Sequence, residues 1–374
     1  MSLSSDIKEY ALEIGFDRVG ITNAETFPVL ERELTERREM YNWAIEGSQQ
    51  LLKSIDPHNF LPEAQSIIVA VFDYYKQAVP VQMIDKIGRC YLAYGARPIH
   101  PINSARNELL RKYLQSRGLK VADNTVRPPA RLCGARAGVI NYGKNCFAFA
   151  DGIGSFIQIE TFIVDTELEY DRPTFEVKCP PRCTLCIDAC PTRALYTPLK
   201  MDPRRCIAYN SFATPGSHYN PSYDIIPADI RENMGSWIYG CDVCQQVCPH
   251  NQAKIKAKLP PNAYLELLAD EFRLENLLNL SDAGFNRISM LLHYIKNKSY
   301  FQRNAAVAMG NQQNDEFVPA LNKALMAPET TVRGHAAWAL GKIGGTAAKK
   351  ILETSLAKET SDYVRREITA ALSR

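Results

Sequence analysis

The chain has 374 residues, a formal net charge of +3, 46% hydrophobic residues and 23% charged ones. This is the composition of an ordinary soluble globular protein with room for two or three domains, and the net charge singles out no partner. The longest apolar run, Ile67–Phe72, is strand length and far short of the roughly 18 residues of a membrane span. Asp6 and Glu9 stand where a signal peptide would be apolar, so a cytoplasmic, reducing setting is expected.

Ser5–Ile14 carries apolar residues at Ile7, Ala11 and Ile14, one face of a short helix capped by Ser5 or Asp6 and ended by Gly15. Phe16–Ile21 reads as a strand and Leu30–Ile45 as a charged helical stretch. Ser66–Phe72 is apolar on both sides, as a buried strand would be. Arg106–Arg117 is a second amphipathic helix, and Lys120–Thr125 a strand end. Cys146–Ala150 and Ser155–Val164 alternate and predict two strands paired around Asp151-Gly152. This mixture predicts an α+β fold class, with an α/β domain over residues 1–170.

Eight of the eleven cysteines fall between 179 and 248. They read Cys179-x3-Cys183-x2-Cys186-x3-Cys190-Pro191, then Cys206, then Cys241-x2-Cys244-x3-Cys248-Pro249. The run C-x2-C-x3-C-P, used twice, is that of a ferredoxin-like module holding two [4Fe–4S] clusters, here over residues 171–280. Thiolates are soft ligands suited to iron–sulfur cores. In such modules the cysteine before the proline crosses to the other cluster. Cys179 or Cys183, with Cys186 and Cys248, therefore belongs to one cluster, and the gap between Cys179 and Cys183 is longer than usual. Cys190, Cys206, Cys241 and Cys244 belong to the other. Structural zinc could also use eight thiolates, but C-x3-C-P twice is not a zinc-ribbon pattern. A disulfide framework suits short secreted chains and not this one. Tyr209–Tyr223, with Pro215, Gly216 and Pro221, is an insertion that reads as a solvated loop or a lid.

From residue 281 to 374 the pattern changes. Asn304-Ala-Ala-Val-Ala-Met-Gly310 recurs as His335-Ala-Ala-Trp-Ala-Leu-Gly341 and, more weakly, as Glu367–Leu372, at spacings of 31 and 32 residues. This predicts a short C-terminal helical solenoid of HEAT-like repeats. Residues 285–374 hold thirteen Lys/Arg against seven Asp/Glu, either a solvated helix face or a phosphate-backbone footprint.

Together with Gly15-Phe-Asp-Arg-Val-Gly-Ile21, Leu61–Ile68, Arg136-Ala-Gly138, Gly143-Lys-Asn145, Gly154-Ser155 and Arg205-Cys-Ile207, this order of parts resembles the epoxyqueuosine reductase family. The resemblance implies a cobalamin- and iron–sulfur-dependent oxidoreductase that reduces epoxyqueuosine to queuosine in tRNA, fed by a low-potential donor such as ferredoxin or flavodoxin. It implies base-off cobalamin against Lys144, Asn145, Gly154, Ser155 and the loop after Cys206, with tRNA on the helical tail. The chain contains no D-x-H-x-x-G segment to supply a histidine to cobalt.

Two departures concern the substrate side. Ungapped matching puts Asn124-Thr125 where the family carries Asp-Thr, the aspartate being its proposed proton donor. An amide is no general acid at neutral pH. Asp123 is adjacent, but in a strand it would face the opposite way. His100 and Tyr142 are further candidate acids, each with a structural alternative. The family's Gly-x-Asp-Tyr-His segment reads Gly95-Ala-Arg-Pro-Ile-His100 here. The alternatives are a related corrinoid reductase of another substrate, of the reductive-dehalogenase kind, and an electron-transfer protein serving a corrinoid partner.

Overall fold

The run Ile67–Phe72 lies in a strand that is buried along nearly its whole length. In the computed structural model, which describes residues 2–46, 50–93, 101–123, 127–212, 224–292 and 294–374, this strand is β2, with β1 at Arg18–Asn23, β3 at Asn141–Tyr142, β4 at Ala148–Phe149 and β5 at Ile157–Val164. β2 (Ser66–Asp73) runs antiparallel between β1 and β5, with Ile68 opposite both Ile21 and Phe162. Side chains alternate across the sheet. Ile68, Ala70 and Phe72 therefore meet Ile7, Leu110 and Leu114 on one face. Ile67, Val69 and Val71 meet Leu34, Cys133 and Ile140 on the other. Each fully buried aliphatic side chain contributes about 1.5–3 kcal/mol.

The strands expected to pair around Asp151-Gly152 do not pair with each other. β4 pairs with β3, β5 pairs with β2, and only the isolated bridge Ala150–Gly154 remains. β5 is buried on both faces and packs into two cores, which the two-residue β4 cannot provide. The first helix starts earlier than expected, at Leu3, because the Ser2 hydroxyl accepts the Ser5 N–H at 3.3 Å. Leu30–Ile45 becomes two helices, Pro28–Glu36 and Arg38–Ile45, broken at Arg37. The second amphipathic helix also starts earlier, at Pro101, whose missing N–H costs nothing at a helix start. Of the strand end expected at Lys120–Thr125, the described residues, which stop at Asp123, form one bridge, Val121 to Val164.

In the tail, helices Lys298–Gln312, Thr330–Ile343 and Asp362–Leu372 stack in sequence, with Val318–Ala324 and Gly345–Leu356 between them. The repeated glycines let these helices touch. A Cβ on Gly310 would lie 2.7 Å from the Trp338 ring, and one on Gly341 2.5 Å from the Ala371 Cβ. One apolar cluster runs from Ile207, Phe212 and Tyr239 in the cysteine-rich segment to Ala306, Leu340 and Ile368 in the repeats. Among the described residues no helix is long and apolar enough to cross a membrane.

Candidate functional site

Each cysteine run folds into a single helical turn, Leu185–Asp188 around Cys186 and Val243–Gln246 around Cys244. Pro191 and Pro249 follow at once and send the chain away. The turns bring the eight thiols into two groups. Cys179, Cys183, Cys186 and Cys248 line one small hollow, partly open to solvent, together with Lys144, Asn145 and His250. Burial, then Cys179, Cys248 and Cys183, push the Cys186 thiol up to about 11. In the other group, burial pushes Cys244 well above the ordinary thiol value, and Cys241, Cys206 and Cys190 add to it. Burial raises Cys241 in the same way, followed by Cys206.

Four thiols crowded from water resist ionising together unless a positive core sits among them. Among the described residues no three Cys, His, Asp or Glu side chains converge tightly enough for a single ion. A hollow ringed by four spaced thiols fits a cluster. Backbone N–H groups add donors, from Lys144 to Cys179 Sγ at 3.4 Å, and from Tyr209 and Ala208 to Cys206.

The residues expected to touch a corrin stand on the wall between the sheet and the thiols. Lys144 Nζ donates to the carbonyls of Pro180 (3.1 Å), Pro181 (2.8 Å) and Cys183 (3.0 Å), and so fixes the first cysteine loop. The next residue reaches the other run, with Asn145 Nδ2 donating to the Cys244 carbonyl at 3.2 Å. Gly154, at φ +91°, leaves room for Asn251, whose Oδ1 a Cβ would strike. Ser155 is 4% exposed and sits in a buried polar clasp. Its N–H donates to Asn251 Oδ1 at 2.8 Å and its hydroxyl to Gln245 Oε1 at 3.0 Å. Gln245 Nε2 donates to Asp242 Oδ1 at 2.9 Å, and the Arg89 N–H to Asp242 Oδ2 at 2.5 Å. Burial raises the Asp242 carboxyl to about 6, against the pull of these donors. Sequence reasoning passed over this clasp. Its one available signal was polar Asp242, Gln245 and Asn251 set among cysteines in a segment that packs indoors.

The polar groups of Lys144, Asn145 and Ser155 are bonded within the protein. Partners are lacking nearby, at the helix Ile207–Phe212 that follows Cys206. Asn210 Oδ1 and Arg37 Nε are buried without a partner, and Trp43, one helix beyond Arg37, meets the Tyr209 ring at 5.2 Å. A corrin has apolar faces and an amide fringe, so one orphan acceptor, one orphan donor and an aromatic pair fit its chemistry.

Of the candidate acids, Asp123 is exposed. Tyr142 is half-buried, and burial holds its hydroxyl up at about 12. Asn124, the Gly95–His100 segment and residues 213–223 of the insertion lie outside the described residues.

Fold and thiols together define an iron–sulfur oxidoreductase with two [4Fe–4S] sites and a helical-repeat tail. Residues 179–251 match the model of a 4Fe-4S double cluster binding domain, and residues 288–373 that of HEAT repeats. An epoxyqueuosine reductase of Bacillus subtilis is 30% identical over 98% of this chain and 94% of its own. The crystal structure of epoxyqueuosine reductase with an epoxyqueuosine-modified tRNA-Tyr stem loop superposes with a TM-score of 0.80 at 28% identity, covering 99% of this chain and 98% of the other. A Bacillus subtilis epoxyqueuosine reductase structure with its catalytic aspartate loop swung out of the active site matches at 27% identity and a TM-score of 0.79, over 99% and 98% of the two chains. The chain belongs to the epoxyqueuosine reductase family, whose cofactors are cobalamin and two [4Fe–4S] clusters.

Proposed function

We propose that this chain is a cytoplasmic reductase of a modified tRNA base, acting on an epoxide of the epoxyqueuosine kind. The observation that carries the reading is the pair of thiol groups clasped, through buried polar contacts, to the α/β layer. When bound, the clusters and the corrin supply single-electron transfer at low potential and a strongly reducing cobalt centre. Cys179, Cys183, Cys186 and Cys248 hold one cluster, and Cys190, Cys206, Cys241 and Cys244 the other. Lys144 and Asn145 keep the two cysteine runs in register. Together with Gly154 and Ser155 they form the wall behind the corrin, and Arg37, Asn210, Trp43 and Tyr209 meet its rim and faces. Ferredoxin or flavodoxin delivers electrons at the first hollow, the one open to solvent.

RNA meets the tail through exposed Lys323, Lys349, Lys350, Lys358 and Arg366. This footprint is smaller than the charge count, because Arg303 is buried and Arg287, Lys298, Arg333 and Arg374 are paired with Glu271, Asp282, Glu359 and Glu232. Replacing Lys349 and Lys350 by Ala should reduce the salt slope of tRNA binding by about 1–2.

The proton is the weak point. Asn124 can orient a substrate but cannot protonate it, and a general acid is worth about 10²–10⁴-fold. Anaerobic turnover of an epoxyqueuosine-containing anticodon stem-loop tests this. Asn124→Asp should exceed the natural protein by a factor in that range. Full turnover by the natural protein, abolished by Asp123→Ala, would move the acid to Asp123. A second reading, reduction of another substrate, is favoured by Asn124 and the altered Gly95–His100 segment. Absence of turnover by both the natural protein and Asn124→Asp would support it.

A further inference from the structure

The first tail helix that carries the repeat motif reaches into the frame of the second thiol group. Arg303, 1% exposed, and Asn304, fully buried, both lie in the helix Lys298–Gln312. Arg303 Nη2 donates to the carbonyls of Asn210 (3.2 Å) and Ser211 (3.4 Å), at the end of the helix Ile207–Phe212. Its Nη1 donates to the Asp224 carbonyl at 3.1 Å and its Nε to Asn304 Oδ1 at 3.0 Å. Asn304 Nδ2 donates to the carbonyls of Ser211 (2.6 Å) and Ile238 (2.8 Å). The Ser211 hydroxyl in turn accepts the Gly240 N–H at 2.9 Å.

Two thiols are fixed through these contacts. Cys206 immediately precedes the helix whose carbonyl end Arg303 holds, and the N–H groups at that helix's other end point at its sulfur. Cys241 directly follows Gly240, and the backbone on its N-terminal side is tied down at Ile238 and Gly240. Arg303 also brings a charge. Its hydrogen bonds among the described residues go to neutral oxygens, the Asp224 carboxylate offsets part of the charge without bonding the guanidinium, and burial lowers its pKa to about 10. A six-residue helix is about 9 Å long. A buried cation at such a distance favours the more negative, reduced form of a cluster by about tenfold at an effective dielectric constant of about 20.

We propose that Arg303 and Asn304 are positioning residues for the cluster held by Cys190, Cys206, Cys241 and Cys244, so that the helical tail sets that cluster's reduction potential. This rests on the two-cluster reading above. Nothing in it requires RNA.

The test is an EPR-monitored redox titration of the full-length protein loaded anaerobically with iron and sulfide. Arg303→Met removes the charge, and Arg303→Lys keeps it. The expected result is that one of two midpoints moves negative in Arg303→Met, by about tenfold in the reduction equilibrium or about 59 mV. The other midpoint stays, and Arg303→Lys stays near the natural value. Asn304→Ser, with the guanidinium in place, should reduce the occupancy of the same cluster without shifting the other. Loss of only that cluster from Arg303→Met, with Arg303→Lys fully loaded, supports the positioning role alone. Two unchanged midpoints, or both clusters shifted or lost together, overturn it. A natural protein that loads only about four irons fails earlier, at the two-cluster reading itself.

Discussion

The two thiol groups share one sequence pattern and differ in what holds them. The first opens partly to solvent and is steadied by one lysine from the α/β layer, Lys144, across three carbonyls. The second is framed by the tail through Arg303 and Asn304, which hold Asn210 and Ser211. Burial drives its Cys241 and Cys244 well above the ordinary thiol value. The difference teaches that equal spacing fixes what a ligand set can bind, while the surrounding elements decide its access and its charge. A group partly open to solvent suits receipt of electrons from a partner, and a group braced by the tail suits their passage inward.

The comparison breaks most visibly when a ligand is removed. Cys186→Ala should lose about four of eight irons and keep the second cluster, and Cys206→Ala should lose the other four. Reductase turnover should vanish in both. Iron and sulfide counts with EPR decide it, and loss of all iron from either variant would mean the groups are not independent in loading.

Lys144→Met sharpens the contrast. Three carbonyls lose a charged donor, and such bonds are worth about 1.5–3 kcal/mol each at most, less here because the lysine is partly exposed. The first cluster should decay several-fold faster in air while the second decays at its former rate. Equal acceleration of both would show that Lys144 does not act locally.

The smallest effect is one of pH, and it belongs to the tail. His335 is fully buried, with Nδ1 2.7 Å from the Thr331 carbonyl and Nε2 accepting the Ile226 N–H at 3.3 Å. Burial, then the Arg231 and Arg303 charges, hold its pKa well below the usual 6.5. The unfolded chain therefore takes up a proton that the folded one refuses. The stability contributed is present above about pH 6.5 and falls as the pH drops, by at most about 1.4 kcal/mol per unit. Thermal unfolding of the apoprotein between pH 5 and 7.5 should show this slope, and His335→Gln should flatten it. An unchanged slope in that variant would assign the titration elsewhere.

What could be read from the sequence was what repeats or clusters along the chain. Cysteines a few residues apart must be near one another in space, so Cys179–Cys190 and Cys241–Cys248 declared their chemistry directly. The period near 31 residues declared the stacked helices in the same way. The partner of β5 was not legible, because β2 lies far away in sequence while β4 is its near neighbour. The clasp of Ser155, Asp242, Gln245 and Asn251 and the inward reach of Arg303 were hidden for the same reason. A polar residue shows its chemistry but not which distant backbone needs it. The tail's charge surplus looked like a surface property, and part of it proved internal. Removing the tail from about residue 281 would therefore strip Asn304 from Ser211 and Ile238, and it cannot serve as a clean probe of RNA binding.

The exchange of thiols between the two runs also orders events at the ribosome. The first hollow waits for Cys248, and the second draws Cys190 from the earlier run and Cys241 and Cys244 from the later one. Neither can close on a nascent chain that stops between them. Asn304, which braces the second, lies sixty residues beyond Cys244. At about 5–20 residues per second that is a lag of roughly 3–12 s during which the later thiols are synthesised but unbraced. Insertion of either cluster is thereby deferred until the later run is made, and a product truncated before Cys241 is left without a complete iron site.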